Sequence, residues 1–334
     1  MRFEFTEDQH EIKRTARDLL ASRSNLEKVR EAAEAGEYDS AVTAELAELG
    51  WPGVAVDEEF GGGGLGYVEL VGLLEEAGYA LLNGPFLGTA LCAAAISEGG
   101  SDSQKEEWLG RLASGEATGA FGLTGQIVPE GASADVVVVG GPEAGEARLI
   151  PGPDALPAVS TIDPTRRYGR AEAESAAGES MPGDVARAVD LGAVLVSAEL
   201  VGISARALEM TVEYVKDRKQ FGRPVGSFQA VQHRCAQMLL STEAARAATY
   251  FAAWAADADP DRLPEAASLA KSAASRAGIE VTQSAIQAHG GIGFTWEADV
   301  HWFYKRAQLN AAFLGSSGEH DQRLTSLIAG QTTA

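Results

Sequence analysis

Residues 287–294 (QAHGGIGF) place a glutamine and two adjacent glycines at the expected end of a helix. Glycines lack a Cβ, so a phosphate or a ribose can lie against the backbone, and a helix end supplies amide donors. Gly290 by itself could instead be an ordinary helix cap. A cap needs neither the second glycine, Gly291, nor the preceding Gln287. The pattern therefore favours a site for a phosphate or ribose group.

A second candidate lies at residues 218–222 (RKQFG), directly after a long apolar seam. The guanidinium of Arg218 can donate paired hydrogen bonds to phosphate oxygens from a rigid fork. Alternatively, the basic residues from Lys216 to Arg223 could form a solvated helix end that complements the helix dipole. Taken alone, this segment leaves both interpretations open.

These two segments, together with residues 227–229 (SFQ), resemble the flavin-binding signatures of the acyl-CoA dehydrogenase family, Q-x-x-G-G-x-G-[YF] and R-x-x-F-G. The resemblance implies that Arg218 reaches across a dimer interface to the flavin pyrophosphate and that Phe221 packs near the adenine side. It further implies FAD contacts from Gln229, Gln287, Gly290 and Gly291. We interpret His289 as structural, because the family tolerates other residues at that position.

The catalytic base of this family is the glutamate of a Y-E-G-T segment, but here residues 313–316 are FLGS. The resemblance implies that this carboxylate would remove the α-proton of an acyl-CoA while the β-hydrogen leaves as hydride. Leu314 cannot accept a proton. Some relatives take the base from an earlier helix, and that position falls at Gly192. We therefore predict no catalytic residue on this chain, and no metal site.

Two carboxylates lie near the missing base. Asp190 is two residues from Gly192, about 200° around a helix, and is expected to point away. Glu319 follows Leu314 by one turn or more and is a weak substitute. It is nevertheless the residue that a relocated base would use.

The elements that position these segments fall into three predicted domains, a mainly α arrangement like that of the acyl-CoA dehydrogenases. Residues 1–115 are an N-terminal helical domain, residues 116–183 a shortened middle β domain, and residues 184–334 a C-terminal four-helix bundle. In the bundle, apolar residues recur at steps of four and three from Val194 to Val215. Small residues repeat this spacing from Ala267 to Ala288, which allows close helix packing.

Local signals in the first domain predict its helices. Thr6 and Gln9 form a capping box that opens a helix, and another helix is expected over residues 40–49. The glycines at 61–64 could cradle a phosphate only between a buried strand and a helix. Because no such strand precedes them, we interpret them as an inter-helix loop.

In the middle domain, residues 135–140 and 147–151 are rich in β-branched and apolar side chains and predict strands. The resemblance to the family is limited here to residues 122–125 (GLTG) and 163–167 (DPTRR). The aromatic-plus-hydroxyl segment that faces the flavin ring in the family has no counterpart. A complete floor for flavin and acyl-CoA is therefore not expected on this subunit.

The composition restricts the partners. A formal net charge of −21 argues against nucleic acid and against an anionic membrane surface, since both require a basic face. The two cysteines, Cys92 and Cys235, have no paired spacing and are expected to be buried thiols of a cytoplasmic protein. The sequence shows neither the apolar stretch of a signal peptide nor a run of 18 apolar residues, so no membrane span is expected.

Three functional hypotheses follow. In the first, the chain is the shorter subunit of a heteromeric FAD-dependent acyl-CoA dehydrogenase. It would share FAD with a longer paralogous subunit that holds the base and most of the acyl-CoA, resembling actinobacterial enzymes of steroid side-chain degradation. In the second, it is a self-sufficient acyl-CoA dehydrogenase with a relocated base such as Glu319. In the third, it is an assembly or binding protein without flavin.

Overall fold

The computed structural model describes residues 5–141, 145–152, 155–172 and 178–332. The helices in these ranges are α1 (Glu7–Arg23), α2 (Leu26–Ala35), α3 (Ser40–Glu48), α4 (Tyr67–Ala80), α5 (Phe86–Gly99), α6 (Asp102–Ala113), α7 (Ala186–Asp217), α8 (Gln229–Ala258), α9 (Leu263–His289), α10 (Val300–Ala312) and α11 (Ser317–Thr332). The strands are β1 (Gly119–Leu123), β2 (Ile127–Val128), β3 (Val136–Gly140), β4 (Ala147–Pro151), β5 (Gly169–Arg170), β6 (Glu179–Met181), β7 (Lys219–Gln220) and β8 (Arg223–Pro224). The predicted fold class, mainly α with a small β middle part, is confirmed.

The N-terminal helices begin and end at recognisable caps. The Thr6 hydroxyl accepts from the amide of Gln9, whose side chain accepts from the amide of Thr6, so the predicted capping box is confirmed. Helix α2 was not predicted from the sequence. Its signals are nonetheless local, because Asn25 caps its first turn and Gly36 ends it at φ +77°. The glycine run lies between a short helical turn at Glu58–Phe60 and α4, as predicted for a loop.

The middle part is a four-stranded sheet in the order β1-β3-β4-β6. The two predicted strands are confirmed as β3 and β4, which pair antiparallel with Val137 opposite Ile150. All five residues of β3 are buried, because one face packs toward the helical core and the other onto a second, smaller apolar cluster. The element type changes between Ala113 and Gly119 and again between Met181 and Ala186. The domain limits at 115 and 183 stay predictions.

The C-terminal part is a bundle in which α9 contacts α7, α8 and α10, and α11 packs against α9 as well. The predicted seam on α7 proves too narrow. Its N-terminal half is buried all around, because α4 packs against it so closely that a Cβ at Gly202 would lie 1.9 Å from the Glu75 carbonyl oxygen. In the C-terminal half, the buried residues are Ala207 and Thr211, each one position before the predicted Leu208 and Val212, and Val215, which is buried as predicted.

Helix α7 is long and apolar enough to cross a membrane by length and composition, with a mean hydropathy of 1.7 over its best 18 residues. A helix of this apolar length was not predicted from the sequence. Within the fold, 89% of that window is buried against other helices. Such burial is what the central helix of a packed core requires, so the apolar stretch is accounted for by packing.

A cluster of five buried charges joins the middle part to α7 and α10. Arg306 donates to Asp163 (2.8 Å) and to Glu199 (3.2 Å), while Arg166 pairs with Glu199 and lies 3.0 Å from a Glu130 oxygen. Three carboxylates therefore share two guanidinium groups. Burial raises the pKa of the Glu130 carboxyl to about 7, with repulsion from Glu199 adding to the shift.

We expect Glu130→Gln to remove a pH dependence of stability. The folded pKa near 7 exceeds the ordinary value of about 4.3, so between these pH values the folded chain holds a proton that the unfolded chain has lost. The free energy of unfolding of the unsubstituted protein should then fall as pH rises from about 5 to 7, by up to about 1.4 kcal/mol per pH unit. Denaturant melts at several pH values measure this slope. Parallel curves for the two proteins would contradict the assignment.

Candidate functional site

The segment after α7 forms a tight hairpin that presents an aromatic ring to solvent. Strands β7 and β8 pair with Gln220 opposite Arg223, and the two residues between them, Phe221 and Gly222, have φ of +50° and +78°. Both central residues of a type I′ turn need positive φ, which a phenylalanine adopts only with strain. The Phe221 ring is nevertheless 93% exposed. A strained and fully exposed aromatic side chain indicates a role outside the packing of this chain.

Arg218 directly follows the last residue of α7 and is its C-cap residue. Its amide donates to the Tyr214 carbonyl (2.9 Å), and its carbonyl accepts from the amide of Val225 (2.7 Å), so the backbone is fixed on both sides. Its side chain is exposed and makes no ion pair or hydrogen bond with any residue that the structure describes. In a protein of net charge −21, this unpaired guanidinium lies among three more cations at Lys216, Lys219 and Arg223.

The end of α9 carries the glutamine and the two glycines. Gly290 has φ +67° and ψ −143°, a conformation that disfavours any other residue. Gly291 has no such constraint, and a Cβ there would meet open space. Packing within the chain therefore does not explain the second glycine, whereas close approach of an external group would. The exposed Gln287 lines a groove of about 470 Å³ between α8 and α9.

An aromatic stack joins these two helix ends. The ring of Tyr214, one turn before Arg218, stacks on His289 with centroids 4.4 Å apart and an interplanar angle of 18°. His289 Nδ1 donates to the Ala285 carbonyl at 2.7 Å, and burial lowers its pKa, so the ring is neutral and packed. The structural role predicted for His289 is consistent with this. Tyr214 was missed, although its spacing from Arg218 in a helix pointed to the same face.

The predicted binding residues thus gather at one end of the bundle. Phe221 makes an edge contact with Phe228 (6.2 Å between centroids), the residue that caps α8, and Gln229 is the first residue of α8. The stack of Tyr214 on His289 brings Arg218 to the same end as Gln287 and the glycines. The arrangement offers cations, glycine backbone and one exposed ring to an anionic and partly aromatic ligand.

The two positions of the usual base lie against each other, and both are apolar. Leu314 is 3% exposed, and a Cβ at Gly192 would lie 2.6 Å from its Cδ1 and 3.1 Å from Cδ2 of Leu91. No side chain fits at 192 while Leu314 keeps this position. The place where a proton acceptor would meet a substrate is therefore filled by packed leucines.

Neither nearby carboxylate faces this place as an available base. Asp190 is buried and forms an ion pair with Arg323, whose Nη2 lies 3.0 Å from Oδ2 of Asp190. Glu319 caps α11, because one of its oxygens accepts from both the hydroxyl and the amide of Ser316 at 2.7 Å. These hydrogen bonds lower the pKa of the Glu319 carboxyl, which makes it a weaker base.

A buried lysine holds the turn that contains Leu314. Lys271 donates to the carbonyls of Gly315 (2.8 Å) and Ala311 (3.2 Å) and to the hydroxyl of Ser275 (3.0 Å), and burial lowers its pKa to about 7. His320 Nε2 donates to the Leu314 carbonyl at 2.9 Å. Together these contacts fix Leu314 at φ +55°, an uncommon conformation for a leucine. Neither residue was singled out from the sequence.

Comparison with known proteins gives family matches for the two helical parts of the chain. Residues 184–325 match the acyl-CoA dehydrogenase C-terminal domain and residues 6–116 match the N-terminal domain. The chain is 37% identical to the acyl-CoA dehydrogenase IpdE2 of Mycobacterium tuberculosis, over 96% of this chain and 98% of that protein. The chain belongs to the acyl-CoA dehydrogenase family.

Two further acyl-CoA dehydrogenases are similar to the chain. FadE34 of Mycobacterium tuberculosis is 35% identical over 94% of this chain, but the match spans only 46% of FadE34. A solved structure described as the Tcur3481–Tcur3483 steroid acyl-CoA dehydrogenase, a G363A variant, has 26% identity and a TM-score of 0.86, covering 98% of this chain and 99% of that one.

Acyl-CoA dehydrogenases are FAD-binding oxidoreductases, and the end of the bundle fits part of such a cofactor. The guanidinium of Arg218, which has no ion pair or hydrogen bond among the described residues, suits its pyrophosphate, and the open backbone at Gly291 admits a phosphate or ribose. The packed leucines at the base positions do not fit the reaction centre. The chain therefore combines features of a cofactor site with a closed catalytic position.

Proposed function

We propose that this chain is the base-lacking subunit of a heteromeric FAD-dependent acyl-CoA dehydrogenase and that it completes the FAD site of a longer paralogous subunit. One observation carries the proposal. The cofactor-side residues, Arg218, Phe221 and Gly291, are exposed, and packing among the described residues explains neither the strained turn at Phe221 nor the glycine at 291. The base position, in contrast, is filled by Leu314 packed on Gly192. A subunit that gives up catalysis but keeps a cofactor surface is of use only to another chain.

The relatives support a second chain. The name of the steroid acyl-CoA dehydrogenase structure joins two components, Tcur3481 and Tcur3483. FadE34 leaves 54% of its length outside the match, which is room for a second unit of comparable size in one polypeptide. We propose that a separate longer subunit takes that place here and that it binds most of the acyl-CoA.

The division of labour follows from the residues. FAD, when bound, supplies the hydride acceptor of α,β-desaturation, and the carboxylate base and acyl-CoA walls belong to the longer subunit. On this chain, Arg218 neutralises the pyrophosphate and Phe221 covers the adenine side. Gln229, Gln287, Gly290 and Gly291 line the remaining surface. The substrate that we propose is a bulky CoA thioester such as a steroid side chain, and the location is the cytoplasm.

A self-sufficient enzyme with Glu319 as base is the second candidate. It is disfavoured because that carboxylate is exposed, caps α11 and has a lowered pKa. A flavin-free assembly protein is disfavoured because the segment 218–222 and the second glycine, Gly291, are both present, although packing among the described residues does not require them together.

Co-expression tests the proposal. We expect the chain purified alone to bind little FAD and to show no acyl-CoA-dependent dye reduction. With a longer acyl-CoA dehydrogenase from the same genome that carries the Y-E-G-T glutamate, we expect a yellow, active complex. A yellow and active homo-oligomer of this chain alone would instead establish the relocated-base hypothesis.

A further inference from the structure

An exposed aromatic surface directly follows the glycine turn. Ile292, Phe294 and Trp296 are 37%, 79% and 68% exposed, although they lie within five consecutive residues. Their backbone is well fixed, since both the amide and the hydroxyl of Thr295 donate to the Ile292 carbonyl at 2.9 and 2.8 Å. A rigid turn thus presents three large apolar side chains to solvent. Exposed apolar patches of this kind mark interaction surfaces.

The base of this surface holds polar atoms without partners. Trp296 packs edge-on against His301 (4.9 Å) and Trp302 (5.6 Å), which are only 7% and 4% exposed. Both ring nitrogens of His301 and the indole nitrogen of Trp302 are buried without a hydrogen bond among the described residues. Leaving such groups unsatisfied is costly, so the structure beneath the exposed rings is incomplete in the isolated chain.

A cation completes the surface. The ammonium of Lys305 lies 4.0 Å from the ring centroid of Trp296 and 4.8 Å from that of Trp302. It forms no ion pair with a carboxylate in the described part of the chain. A complementary surface would therefore offer apolar side chains to the rings and an acidic group to Lys305.

From these observations we propose that Ile292, Phe294, Trp296 and Lys305 form the docking surface, here called the aromatic ledge, for the longer acyl-CoA dehydrogenase subunit. The inference rests on the proposed function. The aromatic ledge is continuous with the glycine turn, because its first residue, Ile292, directly follows Gly291. A chain that completes a cofactor site over the glycine turn must therefore also lie across the ledge. That subunit brings a carboxylate to Lys305 and apolar side chains to the exposed rings.

The test is association of the tagged chain with each longer acyl-CoA dehydrogenase of the same genome that carries the Y-E-G-T glutamate. We expect Trp296→Ala to raise the dissociation constant of the complex by about 30-fold or more, as for a central aromatic contact. Trp296→Phe should recover most of this loss. Leu65→Ala, which truncates a comparably exposed side chain on the loop before α4, should have no effect.

Lys305→Met should weaken association and reduce its salt dependence. Circular dichroism melts check that each variant is folded.

The outcomes separate this inference from the proposed function. If the complex is yellow and active but Trp296→Ala and Lys305→Met associate as tightly as Leu65→Ala, the aromatic ledge is not the docking surface, while the proposed function stands. If Trp296→Ala disrupts a complex that contains no flavin, docking is upheld and the FAD role fails. If the isolated chain is a homodimer that Trp296→Ala dissociates, a second copy occupies the ledge and the inference is overturned. If no longer subunit associates, both proposals fall.

Discussion

Replacing Leu314 by glutamate is expected to lower the melting temperature of the chain by roughly 4 °C or more without creating activity. The leucine is 3% exposed and packs on Gly192, so the change removes a buried apolar side chain and places a carboxylate among leucines. Lost packing and the desolvation of an unpaired charge together cost about 3 kcal/mol or more. Thermal melts of the chain and turnover of the complex measure the two effects.

Controls isolate the charge in this experiment. Leu314→Met conserves volume and should cost less than about 1.5 kcal/mol, whereas Leu314→Gln retains the polar burial without a charge. Because a buried carboxylate takes up a proton, the Leu314→Glu variant should regain part of its stability at acidic pH, and the glutamine variant should not. A doubling of turnover per complex would reveal a second active site on this chain and contradict the proposed role.

Arg218→Ala is expected to release FAD from the assembled complex while leaving the fold unchanged. The side chain is exposed and forms no ion pair or hydrogen bond with any described residue, so stability has no reason to change. A charge-assisted hydrogen bond to phosphate contributes about 1.5–3 kcal/mol, which predicts a loss of FAD affinity of roughly 10- to 150-fold. Flavin fluorescence during dilution of the complex measures the change.

Lys216→Ala is the matched control for Arg218→Ala, because it removes an equally exposed cation from the last turn of the same helix. Its effect should be limited to weak, salt-dependent electrostatics. Equal loss of flavin from both variants would show that only the general positive charge of this helix end matters. Full flavin retention by Arg218→Ala would leave the arginine as surface charge.

Much of the architecture follows from local sequence signals. The α1 capping box needs only Thr6 and Gln9, and β3 needs only a run of valines between turn residues. The predicted binding residues come from sequence motifs, and the structure gathers them at one end of the bundle, while their role in binding stays a prediction. The lack of a proton acceptor at position 314 could likewise be predicted from a single residue, because a leucine side chain has none.

The remainder depends on contacts between distant segments. The width of the buried surface on α7 is set by α4, and the contact between Leu314 and Gly192 joins residues 122 positions apart. Likewise, Lys271 acts on the carbonyls of another helix end, which periodicity within α9 cannot reveal. The aromatic ledge could not be predicted from the sequence, because only the folded structure shows that Trp296 is exposed while Trp302, six residues later, is buried.

The affinity for FAD of three samples tests the central claim most directly: this chain alone, the longer subunit alone, and their equimolar mixture. If each chain supplies part of the FAD site, the mixture should bind FAD at least 100-fold more tightly than either chain, which corresponds to about 2.7 kcal/mol. Fluorescence titration at fixed ionic strength gives all three dissociation constants. A longer subunit that binds FAD alone as tightly as the mixture does would contradict the shared site.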